Sequence, residues 1–316
     1  MLTKAARLIP QNLLASLRSG SPPVVFLGSG FGNESHPPLH TGGELAERAR
    51  AVLKISANGE TLAEVLQYYK NANGGSHAKL VAWLKSERLY GESVPGGAHH
   101  LLLQLPVREF ITTNYDTLLL DASKKVEGTT LLSVTDPESF DRSKHPRTSA
   151  LLAQMHGSFH NERAIVASTD DFIELLQQDQ WRQLVESTLH LRTVVFVGYS
   201  LRDFSSWTSY MSVLIRYYKS MPPHVLVSPA TGMHLQTYWQ KYNVQYVPLS
   251  AGHFLLGIHD ALGTLSTKED IALAAAAVAL AKTLPDAKAL VTDIQKSHRY
   301  QDITLAALRA IEQADI

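Results

Sequence analysis

The sequence predicts an α/β domain built on a parallel sheet, with its chemistry at the strand ends. Three patterns predict it. Short apolar, β-branched-rich runs such as Val24-Val25-Phe26-Leu27 and Thr193-Val194-Val195-Phe196-Val197 have the length and composition of buried strands. Stretches with apolar residues at helical spacing separate such runs. Several runs stop at turns of glycine, amide, imidazole or hydroxyl residues, where an open α/β sheet gathers side chains and backbone N–H groups around a ligand.

The 316 residues, 45% of them hydrophobic, suffice for one large domain or one domain with an appendage. Lys plus Arg and Asp plus Glu each number 29, so no net field favours nucleic acid or an anionic membrane. The absence of cysteine excludes disulfides, cysteine-ligated zinc and a thiol nucleophile. No apolar run approaches the roughly 20 residues of a membrane span. Residues 1–22 read as an N-terminal amphipathic helix, with Leu2, Leu8, Leu13 and Leu17 among Lys4, Arg7 and Arg18, and not as a signal-peptide core. The expectation is a cytoplasmic protein.

In chain order, the run from Val24 enters Gly28-Ser29-Gly30-Phe31-Gly32, a turn where backbone can approach a phosphate closely. Asn33 stands where a dehydrogenase fingerprint would have its last glycine, so a plain strand–helix turn remains an equal reading. His36-Pro37-Pro38-Leu39-His40 reads as a surface loop. Residues 41–106 read as a helical insertion covering the glycine turn, opened by the capping-box spacing of Thr41 and Glu44. The pair His99-His100 reads as helix-terminal packing. The next short run, Phe110-Ile111, meets Thr112-Thr113-Asn114-Tyr115-Asp116, where Asn114 and Asp116 either cap the following helix or address a ligand.

After a strand at 131–134, Leu151-Leu152-Ala153-Gln154-Met155 leads to His156-Gly157, a strand-end imidazole that could accept a proton near neutral pH. Ile165-Val166-Ala167 reads as more sheet, and Asp170-Asp171 as the start of a helix running through Trp181. The strand ending at Val197 meets Gly198-Tyr199-Ser200-Leu201-Arg202-Asp203. There, Ser200 and Asp203 have helix-capping spacing, and Arg202 rules out a G-x-S-x-G nucleophile elbow. Trp207, Tyr210, Met211, Leu214, Ile215 and Tyr218 read as a helical core stripe. A β-α-β unit from Val225 to Val247 completes the sheet, and residues 266–316 read as a helical tail.

The four turns, in this order, resemble the sirtuin (silent information regulator) family, in particular its zinc-free bacterial branch of NAD-cleaving enzymes in antiphage defence. Gly28-Ser29-Gly30-Phe31-Gly32 is similar to the family's Gly-Ala-Gly-x-Ser loop, and Thr112-Thr113-Asn114-Tyr115-Asp116 to its Thr-Gln-Asn-Ile-Asp. His156-Gly157 is similar to the catalytic His-Gly, and Gly198-Tyr199-Ser200-Leu201 to Gly-Thr-Ser-Leu. The resemblance implies a Rossmann-like sirtuin fold over residues 23–265. It further implies cleavage of the nicotinamide–ribose bond of NAD+ as substrate, giving nicotinamide and ADP-ribose. Asn114 and His156 would be catalytic; Gly28, Ser29, Gly30 and Phe31 would hold phosphates, Asp116 the carboxamide, and Gly198, Ser200 and Leu201 the adenosine half.

With no cysteine for the deacylases' zinc module, no zinc is expected, and deacylation is the weaker alternative beside a non-catalytic module binding NAD+ or ADP-ribose. The resemblance also implies a toxic defence effector held in check by homo-oligomerisation or by a nucleic-acid-sensing partner chain, helicase-like or Argonaute-like. No direct nucleic-acid contact and no membrane association are expected.

Overall fold

The computed structural model describes residues 5–57, 59–87, 91–126, 128–177, 179–199, 213–214, 216–230 and 233–264. The expected helical tail at 266–316 lies outside the described residues, as do Ser200, Leu201 and most of the stripe from Trp207 to Ile215.

Among the described residues, seven strands form one parallel sheet. They are β1 (Val24–Leu27), β2 (Glu109–Thr112), β3 (Thr130–Val134), β4 (Ser149–Gln154), β5 (Val194–Val197), β6 (His224–Val227) and β7 (Val244–Val247). Their order is β3-β4-β2-β1-β5-β6-β7, a doubly wound, Rossmann-like arrangement. β1, β4, β5 and β6 are buried along their whole length. A parallel sheet covered on both faces gives such near-continuous apolar runs.

The two-residue alternation of the strands divides the core. Val25, Leu27, Phe110, Leu152, Val195 and Val197 face a layer holding α1 (Gln11–Arg18), α5 (Gly97–Gln104), α6 (Leu118–Ser123) and α10 (Ala251–Leu262). Val24, Phe26, Ile111, Leu151, Val194 and Phe196 face the other way, toward Trp181, Val185 and Leu189 of α8 (Asp179–Leu191) and Trp239 of α9 (Met233–Gln240). Each fully buried side chain of this size contributes about 1.5–3 kcal/mol.

A third cluster sits above the strand ends. Leu45 and Ala49 of α2 (Gly42–Leu53), Val65 and Leu66 of α3 (Leu62–Ala72), and Leu80, Val81 and Leu84 of α4 (His77–Glu87) pack with Tyr115, Phe159, Ile165 and Ala167. Thr41 and Glu44 form the expected capping box at the start of α2. This helical layer thus lies on the Asn114 turn and the segment after His156, whereas α5 belongs to the main core.

Three local expectations are corrected. The N-terminal helix begins only at Gln11, because Pro10 forces an extended backbone before it; a short 3-10 turn, Ala6–Leu8, precedes it. Ile165-Val166-Ala167 is not a strand: Val166 N–H donates to the His156 carbonyl at 3.0 Å, and Ile165 and Ala167 turn into the third cluster. The helix from Asp170 is two helices, α7 (Thr169–Leu176) and α8. In addition, His36 is half-buried rather than a surface residue, and its Nδ1 is enclosed.

Candidate active site at the strand ends

Strand register assembles the site. Leu27 pairs with Thr112 and with Val197, and Thr112 pairs with Gln154. The final residues of β4, β2, β1 and β5 therefore lie in one row at the carboxyl edge of the sheet. Gly28 and Gly198 each follow their strand by one residue, and Asn114 and His156 each follow theirs by two. The chain builds β2 and β4 on one side of β1 and then crosses to β5 on the other. The row therefore spans the topological switch point, where open α/β sheets bind ligands.

Asn114 is buried, and its side-chain Nδ2 donates to the Gly28 carbonyl at 3.0 Å. Its backbone N–H donates to the Thr112 hydroxyl at 3.0 Å, and that hydroxyl donates to the Leu27 carbonyl at 2.9 Å. The amide thus ties its own turn to the glycine turn and caps no helix. Asp116 does cap: its Oδ1 accepts the Leu118 N–H at 3.2 Å at the start of α6. Tyr115 anchors the same turn, donating its hydroxyl to the Val166 carbonyl at 2.8 Å while its own carbonyl accepts the Phe159 N–H at 2.9 Å.

His156 is 3% exposed, and its ring meets that of Phe172 on α7 edge-on, centroids 5.0 Å apart. Gly157 after it has φ +79°, and a Cβ there would lie 2.1 Å from the Ala164 carbonyl oxygen, so the His-Gly turn requires glycine. α7 is held over this region by Lys70 of α3, whose ammonium reaches Asp171 at 3.0 Å and the Ser168 hydroxyl at 3.1 Å. Burial pushes the Asp171 carboxyl up, but the Ser168 amide, Lys70, the Ser168 hydroxyl and the Ala167 amide together hold it below its ordinary range.

The first and fourth turns grip each other through backbone. Gly28 N–H donates to the Val197 carbonyl at 3.0 Å, Gly30 N–H to the Gly198 carbonyl at 2.8 Å, and Phe31 N–H to the Gly28 carbonyl at 2.9 Å. A Cβ on Gly28 would lie 2.5 Å from Tyr199 Cα, and one on Gly30 2.7 Å from the Gly198 oxygen. Ser29, half-buried, sits in the 3-10 turn Ser29–Glu34 between them. The glycines that suggest a phosphate loop thus also serve loop–loop packing, and in this conformation three of the loop's amides donate to chain carbonyls.

Sequence reading missed three contributors. Gln154, 0% exposed, accepts from the Ser133 hydroxyl at 2.6 Å and donates to the carbonyls of Asp116, at 3.1 Å, and Asn114, at 3.4 Å. It sets the β2 turn against β4, and its only sequence signal is a polar residue closing an apolar strand. Thr112 does the same toward β1. His99, read as helix packing, lines a pocket with Leu27, Phe31, Gly32, Thr112, Asn114 and Asp116. Among the described residues no group of three or more His, Asp or Glu is arranged to hold a metal ion, and no helix is long and apolar enough to cross a membrane.

Residues 108–247 match the SIR2-like domain family. The chain is 27% identical over 195 residues to an NAD(+) hydrolase ThsA of Enterococcus faecium, covering 57% of this chain and 37% of that protein. It is 26% identical over 186 residues to a protein of the same name from Cytobacillus dafuensis, covering 57% and 35%. A third, from Bacillus cereus (strain MSX-D12), is 24% identical over 163 residues, covering 51% and 33%. The chain thus spans about a third of the length of the curated relatives it matches. Asn114, His156 and Gly198 all lie inside the region that matches the SIR2-like domain family, each just beyond a strand of the same parallel sheet.

Proposed function

We propose that this protein hydrolyses the nicotinamide–ribose bond of NAD+, releasing nicotinamide and ADP-ribose. One observation carries the reading: the Thr112–Gln154 pairing sets Asn114 and His156 at the same height beyond neighbouring strands, beside the glycine turn that Asn114 already contacts. The relatives' name, NAD(+) hydrolase, supports the substrate and the bond.

In this reading NAD+ lies along the row of strand ends. Its phosphates engage Gly28, Ser29, Gly30 and Phe31 once that loop's amides exchange their internal carbonyl partners for phosphate oxygens. Gly198, Ser200 and Leu201 contact the adenosine half, and Asp116 holds the nicotinamide carboxamide. The C–N bond to nicotinamide breaks with its electron pair leaving on the ring nitrogen, and the ribose acquires oxocarbenium character that enclosed polar groups stabilise. Asn114 orients the ribose hydroxyls and the water, and His156 accepts the proton as water adds.

The domain spans residues 23–265, with a helical insertion at 41–106 whose last helix, α5, packs in the main core, and appendages at 1–22 and 266–316. The biological role we assign is that of a cytoplasmic antiphage effector, restrained by self-association or by a nucleic-acid-sensing partner. The test is nicotinamide release from NAD+ by the full chain, alone and with candidate activators, beside Asn114→Ala and His156→Ala. Release by the wild type, suppressed in both variants, supports the proposal. Equal turnover in all three removes the mechanism, and NAD+ binding without any release turns the reading into that of a binding module.

A further inference from the structure

The helical layer meets the segment after His156 along a polar seam between α3 and α7. Gln67 and Lys70 stand three apart on α3, so both side chains leave the same face. Gln67 Nε2 donates to Asp170 Oδ2 at 2.9 Å, and its Oε1 accepts the Asp170 backbone N–H at 3.1 Å. That N–H belongs to the first turn of α7, where no carbonyl of the same helix can reach it. Lys70 Nζ donates to Asp171 Oδ1 at 3.0 Å and to the Ser168 hydroxyl at 3.1 Å. Asp171 Oδ2 in turn accepts the Ala167 and Ser168 N–H groups at 3.1 and 2.9 Å. The start of α7 is thus finished by side chains of another helix.

α7 in turn holds His156. Phe172, the residue after Asp171, sets its ring against the imidazole with the two planes 85° apart. Upstream, Val166 N–H binds the His156 carbonyl at 3.0 Å, and the Val166 carbonyl accepts the Tyr115 hydroxyl at 2.8 Å. The stretch 166–172 therefore grips the histidine by main chain and by ring, and the end that carries the ring is the end fixed by α3. An ion pair as enclosed as Lys70–Asp171, with side chains 14% and 15% exposed, is a poor stabiliser, because desolvation offsets most of its attraction. What it supplies is direction: the ammonium admits one register of α7 on α3, where an apolar contact would admit several.

We propose that Gln67 and Lys70 are positioning residues for His156: α3 fixes where α7 lies, and α7, through Phe172, fixes the imidazole beyond the strand ends. This rests on the NAD+ reading above and gives two residues that hold no substrate atom a part in the same reaction. The imidazole must stand within hydrogen-bond reach of the proton it accepts, and a misplacement of about 1 Å costs on the order of 100-fold in rate. NAD+ itself is held elsewhere in that reading, by the glycine turn, Asp116 and the β5 turn. Loosening the seam therefore falls on kcat and spares KM.

The experiment uses the full chain as wild type, Lys70→Met, Lys70→Arg, Gln67→Leu and Phe172→Leu. Thr41→Ala is the control that weakens the same helical layer away from the seam. Three quantities are measured on each: kcat and KM for nicotinamide release, the thermal midpoint, and the His156 Cε1–H resonance in protein isotope-labelled at histidine. His156→Ala identifies that resonance by its absence. Lys70→Met is expected to lower kcat about 10- to 100-fold with KM within about threefold of the wild type. It also moves the resonance in the same direction as Phe172→Leu, which takes the neighbouring ring away. Lys70→Arg, which keeps the cation, recovers part of both effects, Gln67→Leu gives both to a smaller degree, and Thr41→Ala gives neither.

Wild-type kcat or an unmoved resonance in Lys70→Met overturns the proposal. So does a fall in kcat that Thr41→Ala reproduces at an equal loss of midpoint, since the seam is then only one more source of stability. A rise in KM without a fall in kcat assigns α3 to binding and overturns it too. Should Lys70→Met fail to fold, Gln67→Leu decides by the same readings. A wild type that releases no nicotinamide removes the parent reading itself, and the resonance in Lys70→Met beside Phe172→Leu then decides the positioning role alone.

Discussion

Alanine at Gly198 tests whether the glycine turn and the β5 turn are joined as described. Gly198 has φ +65°, a backbone conformation that costs an alanine about 1–2 kcal/mol. The new Cβ would lie 2.2 Å from the Phe31 nitrogen and 2.7 Å from the Gly30 carbonyl carbon, against 3.4 Å where ordinary contact begins. The first turn must retreat, breaking the 2.8 Å bond from Gly30 N–H to the Gly198 carbonyl, for about 1 kcal/mol more. The sum is about 2–4 kcal/mol once packing around Phe31 is included. At about 2–4 °C per kcal/mol for a domain of this size, the melting midpoint falls by roughly 5–15 °C. Circular dichroism melts of Gly198→Ala, Gly30→Ala and the double variant make the assay. Gly30→Ala wedges the same interface through a Cβ 2.7 Å from the Gly198 oxygen without a left-handed backbone. The double variant then loses less than the sum of the singles, because the loop has already moved. Wild-type melting of Gly198→Ala, or strict additivity, would refute the reasoning.

Four further outcomes are expected. Asn114→Ala and His156→Ala each lower nicotinamide release by about 10²- to 10⁴-fold with unchanged far-UV dichroism, the former losing only about 1 kcal/mol of stability with its bond to Gly28. Thr41→Ala removes the capping box of α2 and lowers stability by about 1 kcal/mol in a urea titration, with no change in NAD+ affinity. Stability falls on acidification because burial lowers His99 to about 3 and His100 and His224 to about 4, so from about pH 6.5 downward the unfolded chain takes up protons that the folded chain refuses. The urea midpoint should hold above pH 7, decline steadily from about 6.5 to about 4, and a flat profile across that window would contradict the burial of these rings. His99→Leu, which removes one of these groups, should shallow that decline, as the same titration shows.

Much of the fold is legible in the chain because its central strands are buried on both faces. Val24–Leu27 and Val194–Val197 then read as unbroken apolar runs that no surface strand or helix of that length would show. Three of the four turns are legible for a related reason: each needs glycine where ordinary loops do not, as at the Gly28–Tyr199 approach or at the positive φ of 157 and 198. Tertiary partners are what a local pattern lacks. Ile165-Val166-Ala167 has strand composition, yet its backbone finds His156 and Tyr115 rather than a sheet edge. The break between α7 and α8 carries neither glycine nor proline to mark it. Asn114 and Asp116 look alike as capping residues, and only the positions of Gly28 and Leu118 distribute their roles. His99 has the spacing of any helix-core residue, and nothing in that spacing reveals that its neighbour is a pocket.

The parallel pairing of four adjacent strands has one more consequence. Neighbouring strands are held about 4.8 Å apart by backbone hydrogen bonds, so the turns after β4, β2, β1 and β5 are spread over three such gaps, about 15 Å. That spread is a ruler whose graduations are main-chain bonds, indifferent to most side-chain replacement. Helices between the strands can lengthen, shorten or diverge without rescaling it, and a ligand long enough to touch all four marks is measured against the sheet itself.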